Sequence, residues 1–396
     1  MQAKLTRTVA GFAAAMLVGL AAARPAAADD VKLPANLSWT AYGTTSSGYA
    51  QSIGLGNMLK KRYGTELRII PGKNDVSRML PLKAGQVEIC ACGIAAYFAQ
   101  EGVLLFANKN WGPVKQFNLF NNIGRNGIAL GVAGDAGVKT VQDLKGKRVA
   151  WVKGAPALNV NATAVLAFGG LSWNEVVKVE VPGWGQSMQG ILDGQIDAAA
   201  SSTIASIYSQ ISASPRGLWH LSFPHDDAEG WARLHSVAPY WNKIVVTSAV
   251  DIKKNITGET AYEGGGYAYP SFISTPTLSD EIAYGLTKAV MANYEDYAAA
   301  GPGMDGYLLE NQTMQWVFPY HPGAIAYFKE QDAWTAEDQA YTDELLRRQD
   351  VLADAWESFI DKGAASDATF ETEWLEHRAA ALEKAGMSVP FRKPLS

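Results

Sequence analysis

The sequence predicts an α/β protein of two lobes with a helical tail. Three observations predict it. Short apolar runs alternate with helical periodicity from residue 37 onward, a strand-loop-helix unit recurs three times before residue 101, and a second series of such units opens after Gly134-Asp135-Ala136-Gly137. The 396 residues allow two or three domains of ordinary size, and 48% apolar with 18% charged residues supplies their cores without long disorder.

The elements follow in chain order. Lys4 and Arg7 precede an uncharged stretch over 8–23, then Arg24-Pro25-Ala26-Ala27-Ala28 and Asp29-Asp30, the pattern of a secretory leader cleaved after Ala28. Its apolar part is short for a membrane span, no later stretch reaches the roughly 20 apolar residues that spanning requires, and no cysteine follows it to carry a lipid. The mature protein is expected to be soluble and exported to the periplasm. Strands over 37–42, 66–70 and 87–92 alternate with helices over 51–63, 76–84 and 94–100. In the second series, 141–147 forms a short helix and turn feeding a strand over 148–152. A helix over 157–168, a strand over 177–181 and a helix over 187–192 follow, then a strand over 196–200 that runs into Ser201-Ser202-Thr203. A Gly- and Tyr-rich segment, 262–267, leads to a strand over 271–274 and a helix over 279–294, with Ser279 as cap and Asp280 and Glu281 suiting the N-terminal dipole. From Thr335 the tail is helical: Thr335-Ala336-Glu337-Asp338 resembles a capping box, and Gly386 suits the end of the last helix. The predicted organisation is a leader over 1–28, a first lobe over 29–130, a second over 131–265, a return to the first over 266–334, and tail helices over 335–396 packed on one lobe.

Several chemistries are excluded. With 34 Lys and Arg scattered against 39 Asp and Glu, net charge −5, no basic face exists for nucleic acid. The run over 131–140 ends in Gly-Val-Lys-Thr but lacks the Gly-Lys step and long helix of a P-loop, and Gly54-Leu55-Gly56 lacks the third glycine of a dinucleotide fingerprint. Ser187 has no nucleophile elbow around it, and His225-Asp226-Asp227 reads as a polar turn without a second histidine to complete a metal set. No catalytic set, metal site or cofactor motif emerges. Cys90 and Cys92 share one face of a strand, where a bridge between residues two apart is strained, so they read as small core residues with a disulfide as the alternative.

Ligands of parallel α/β sheets bind beyond the carboxyl ends of the strands, where loops expose N–H groups and helix N-termini favour anions. Three loops answer that description. The first offers Thr44, Thr45, Ser46, Ser47 and Tyr49; the second offers Asn74 and leads to Arg78, which either meets a ligand carboxylate or pairs with Asp75; the third holds Lys153 and Asn159 and has almost no hydroxyls. The second lobe adds Trp151, Trp184, Gln186, Ser201 and Thr203 as candidate cleft residues.

Ala84-Gly85-Gln86-Val87-Glu88, Asp143-Leu144-Lys145-Gly146-Lys147, Leu192-Asp193-Gly194-Gln195-Ile196-Asp197-Ala198-Ala199, Ile282 to Ala289 and Tyr320-His321-Pro322-Gly323-Ala324 fall in an order that resembles the solute-binding subunits of the TAXI branch of TRAP transporters. The resemblance covers about residues 37–330. It implies a two-lobed periplasmic binding protein of type II, with a hinge and an interlobe cleft, delivering a small carboxylate to a sodium-coupled TRAP membrane partner, a fused permease in that branch. Members commonly carry Gly-Ser where this chain has Asn74-Asp75, Asn at Arg78, Ser-Gly-Thr at Pro156-Ala157-Leu158, and Ser and Asp at Gly93 and Ile94. Fewer hydroxyls and more apolar surface point to a carboxylate with an apolar or aromatic body. An ABC-type uptake receptor or a periplasmic sensor partner is the alternative. A secreted enzyme on the same fold needs a convergent acid, base or nucleophile, which the loops lack beyond Lys153.

Overall fold

The computed structural model describes residues 31–255, 258–363 and 366–393, so the predicted leader lies outside the described residues. Among these residues two five-stranded sheets form, and the chain crosses between them twice. The first lobe begins with β1 (Asn36–Tyr42), α1 (Ser47–Tyr63), β2 (Glu66–Gly72), α2 (Asp75–Lys83), β3 (Ile89–Cys92), α3 (Ile94–Glu101) and β4 (Phe117–Asn121). The second lobe is built from β5 (Ile128–Ala133), β6 (Arg148–Val152), α4 (Pro156–Phe168), β7 (Val177–Val181), α5 (Trp184–Leu192), β8 (Ala198–Ser202), α6 (Ile207–Ala213), β9 (Leu218–His220) and α7 (Ala228–Val237). An antiparallel pair, β10 (Asn242–Val246) and β11 (Tyr262–Gly266), flanks the short α8 (Ile252–Asn255). The chain then returns to the first lobe with β12 (Ser271–Ser274), α9 (Asp280–Ala292) and α10 (Pro322–Glu330), and ends in α11 (Ala336–Asp361) and α12 (Phe370–Lys384).

Sheet order is β2-β1-β3-β12-β4 in the first lobe and β7-β6-β8-β5-β9 in the second. Both share one plan. Three parallel strands continue into a strand running the other way, and in each lobe that antiparallel strand, β12 or β5, is the first to arrive from a crossing. The two crossings are themselves paired, because Asn122 donates its N–H to the carbonyl of Pro270 at 2.8 Å and Tyr269 donates to the carbonyl of Asn122 at 2.9 Å. A two-stranded connection of this kind is a hinge, and the architecture is the two-lobed type II periplasmic binding protein fold that the resemblance implied.

Local chemistry explains several of the helix starts. Ser46 accepts from the N–H of Tyr49 to open α1, one turn earlier than periodicity predicts, and Asn74 with Ser77 forms a capping box for α2. Ser279 caps α9, Thr335 and Asp338 box the start of α11, and Gly386 takes φ +74° after α12, all as read from sequence. Five strands escaped the periodicity, β4, β5, β9, β10 and β11, the first because Asn118 and Asn121 interrupt its apolar run while both are buried. The cysteine reading is corrected: Cys90 and Cys92 form a disulfide. Their Cα atoms stand 5.1 Å apart, nearer than the roughly 6.6 Å of two ideal strand steps and inside the ordinary range for a bridge, so the local backbone is shortened and the geometric objection does not hold here.

The first lobe's core centres on Trp39, Phe120 and Phe272, with ring centroids of the last two 4.5 Å apart; in the second, Phe168, Phe223 and Trp231 pack edge to face. The tail helices dock on the first lobe. Buried Glu101, the last residue of α3, takes two hydrogen bonds from Arg348 of α11 at 2.6 and 2.7 Å and another from Arg378 of α12, while Trp374 donates to the carbonyl of Gly102 at 2.6 Å. No described helix is long and apolar enough to cross a membrane.

Candidate functional site

A cavity of about 40 Å³ lies between the lobes at the carboxyl ends of β1, β3 and β8. The first lobe contributes Tyr42, Ser46, Ser47, Arg78, Gly93 and Ile94; the second contributes Ile128, Ala157, Leu158, Asn161, Trp184, Ser201 and Ser202; the returning hinge segment contributes Tyr267 and Tyr269. Four helix N-termini meet there, those of α1, α3, α4 and α5, and the caps of the last three, Gly93, Ala155 and Gly183, bring no side-chain acceptor. Gly93 is obligatory for space: a Cβ there would stand 2.6 Å from Cδ2 of Tyr269.

The charged centre is Arg78. It is 1% exposed, its guanidinium carbon stands 3.7 Å from the centre of the Tyr42 ring, and its Nη1 donates to the carbonyl of Ala91 at 3.1 Å. Nη2 donates to Oδ1 of Asp75 at 2.8 Å, so the arginine pairs with Asp75, and the pair is buried rather than exposed. Its Nε, also buried, has no partner. Burial works against the charge of Arg78, but the phenol of Tyr42 and the carboxylate of Asp75 outweigh it and hold its pKa above the ordinary value. Burial first, and then the neighbouring Asp75, push the Tyr42 phenol well above its usual range, so it stays a hydrogen-bond donor. Across the cavity Asn161 donates through Nδ2 to the Tyr267 hydroxyl at 2.8 Å, while its Oδ1 is buried without a partner.

Direct hydrogen bonds hold the lobes together around this cavity. Ala157 donates its N–H to Oδ2 of Asp75 at 2.8 Å, Val76 to the carbonyl of Gly154 at 3.0 Å, Trp184 to the carbonyl of Lys73 at 2.9 Å, and Asn74 Nδ2 to the carbonyl of Lys153 at 2.9 Å. Ser206 Oγ adds a bond to the carbonyl of Thr45 at 2.9 Å. Gly154 adopts φ +74°, and any Cβ there would collide with Asn74, so this contact needs glycine twice over.

Of the residues expected in the cleft, Ser46, Ser47, Arg78, Trp184 and Ser201 line the cavity. Asn74 caps α2 and bridges the lobes at its rim, and Thr45 bridges through its carbonyl. Thr44 and Gln186 are exposed, and Tyr49 packs in the first lobe's core margin. Trp151, Lys153 and Asn159 border a different cavity, of about 310 Å³, beside Leu104 and Glu371. There Trp151 packs edge to face on Trp173, Lys153 pairs with Glu180 at 3.0 Å, and Asn159 spends both amide atoms on the backbone of Val152. Thr203 accepts from the N–H of Gly127 at 3.0 Å and donates to the carbonyl of Ser248 at 3.0 Å, fastening a crossing segment. Sequence reasoning missed Tyr42, Asn161, Ser202, Tyr267 and Tyr269. Periodicity around the tyrosines of 262–269 gave a signal, a Gly- and Tyr-rich tract before a strand, but nothing local places it opposite β1. His225 bonds the carbonyl of Gly264 at 2.9 Å, and no cluster of three potential metal ligands exists among the described residues.

A hinged pair of α/β lobes with a buried, mixed aromatic and polar cavity at the strand ends is the architecture of the type II periplasmic binding protein fold, in which ligands sit beyond the carboxyl ends of the strands. The chain belongs to the NMT1-like family, whose model matches residues 41–331. Among solved structures it is similar to the alkanesulfonate-binding protein SsuA from Xanthomonas axonopodis pv. citri bound to MOPS, at 16% identity and a TM-score of 0.43, covering 83% of this chain and 94% of that one. It is also similar to the periplasmic aliphatic sulphonate-binding protein SsuA from Escherichia coli, at 15% identity, TM-score 0.41, and coverage of 90% and 89%. The GluR0 ligand-binding core from Nostoc punctiforme in complex with L-glutamate matches at 15% identity and a TM-score of 0.38, covering 67% of this chain and 97% of that one.

Proposed function

We propose that this chain is an exported, non-catalytic solute-binding protein that closes on one small carboxylate and presents the closed form to a membrane transporter. The observation that carries this reading is the pair of buried, unpartnered polar atoms, Arg78 Nε and Asn161 Oδ1, on two residues that line the interlobe cavity. A buried polar atom without a partner costs about 1–3 kcal/mol, and a solute offering one acceptor and one donor would remove both penalties. The hydroxyls of Ser46, Ser47 and Ser201 complete a polar ring, while Trp184, Tyr267, Tyr269 and Leu158 suit an apolar or aromatic body. The motif order along residues 37–330 supports a sodium-coupled TRAP permease as the partner, and an adjacent gene for a fused permease tests that choice against an ATPase gene, which would mark ABC uptake. The leader supports a periplasmic location, and mass spectrometry of the periplasmic fraction should find Asp29 as the mature N-terminus.

A thermal-shift panel tests the function. Monocarboxylates with apolar bodies should raise the midpoint and quench emission from Trp184, a solute at about 100 times its dissociation constant adding about 2.7 kcal/mol to stability. Arg78→Ala should weaken that binding by about 2–5 kcal/mol. A panel in which no carboxylate shifts the midpoint overturns the reading.

A further inference from the structure

Asp75, the first residue of α2, is fully buried, and its carboxylate is held as a bound solute would be. Oδ1 accepts from the Tyr42 hydroxyl and from Arg78 Nη2 at 2.8 Å, and Oδ2 accepts from the N–H of Ala157 in the first turn of α4 at 2.8 Å. A guanidinium, a phenol and an uncapped helix N-terminus from the opposite lobe make a carboxylate seat. Here the occupant belongs to the chain, and it joins residues 82 positions apart across the cleft. Asp75 neutralises Arg78 and takes one of its five N–H groups, the carbonyl of Ala91 takes another, and the buried Nε is left without a partner.

We propose that Asp75 is a tethered carboxylate that fills the anion seat between the lobes and sets the charge selectivity of the cleft, admitting solutes with one carboxylate and rejecting those with two. The proposal rests on the solute-binding reading and adds the substrate class. A second solute carboxylate would have to stand among desolvated groups whose positive charge Asp75 has already taken, and like charges brought together out of water are strongly disfavoured.

Removing the side-chain carboxylate while leaving Cβ creates a gap of the shape of formate. The mature Asp75→Ala protein is titrated with sodium formate against sodium chloride at equal ionic strength, followed by thermal midpoint and tryptophan emission. Formate should raise the variant's midpoint saturably and leave the wild type unmoved, and the variant should bind malonate or succinate at least tenfold more tightly than the wild type does. A folded variant, by near-UV circular dichroism, that responds to formate no more than the wild type overturns the proposal. Should Asp75→Ala not fold, Asp75→Asn keeps the volume and removes the charge; it must gain at least tenfold in dicarboxylate affinity, and an unchanged charge preference overturns the proposal. Formate rescue in a protein whose wild type binds no carboxylate upholds the seat and sinks the receptor reading. Wild-type monocarboxylate binding without formate rescue does the reverse.

Discussion

Glu101→Gln tests how the tail supports the site. Glu101 ends α3, the helix whose first turn faces the cavity, and its side chain is wholly buried between two guanidinium groups. Arg348 and Arg378 also reach the carbonyls of Ser388 and Pro390, both at 2.9 Å, so this single carboxylate joins α3, α11, α12 and the segment beyond. Glutamine keeps the shape but leaves two buried cations facing an amide. Breaking a buried ion pair by removing one partner costs about 3–5 kcal/mol, because the remaining charge is uncompensated. Taking about 2.1 cal/mol/K of unfolding entropy per residue over roughly 360 described residues, that cost lowers the calorimetric midpoint by about 4–7 °C. The pH dependence follows from the shift at Glu101: burial raises its pKa, but Arg378 and Arg348 outweigh burial and hold it below the ordinary 4.5. Its contribution is therefore complete above about pH 4.5 and lost as pH falls through the lowered value. Wild type should lose stability faster than Glu101→Gln on acidification through that range. A midpoint within 1 °C of wild type at pH 7, with the same acid slope, refutes the reasoning and leaves the tail held by the aromatic cluster of Trp356, Phe359, Phe370 and Trp374.

Gly93→Ala places a methyl 2.6 Å from the Tyr269 ring; the ring must move, and solute affinity by calorimetry should fall at least tenfold while the fold persists. Asp197 is raised by partial burial, yet its bonds to Arg148 and Arg216 bring it down to about 2. Its stabilisation is present above about 3.8 and lost as pH falls toward 2, so Asp197→Asn should flatten the acid limb of the denaturation curve below pH 4 and lower the neutral midpoint.

Much of the fold was legible because its signals are local. Strands 148–152, 177–181 and 271–274 lie where alternation and apolar runs put them, and the caps at Ser279 and Thr335 work through groups three residues apart. The site was legible only in part. Hydroxyl-rich loops pointed to Ser46, Ser47 and Ser201, and the arginine at a helix start pointed to Arg78. Trp151 and Trp184 looked alike in sequence, yet the first packs on Trp173 and the second closes the cavity.

The amino-acid sequence by itself determined the α/β class, the two series of strand-loop-helix units and the helical tail, because periodicity and capping act within a few residues. Tertiary structure alone decided which polar groups remain open to a solute. Asp75 and Ala157 are 82 residues apart, Asn161 and Tyr267 are 106 apart, and Arg348 lies 247 residues from Glu101. Whether a buried charge is free or already paired depends on such distant partners, and no local pattern encodes them.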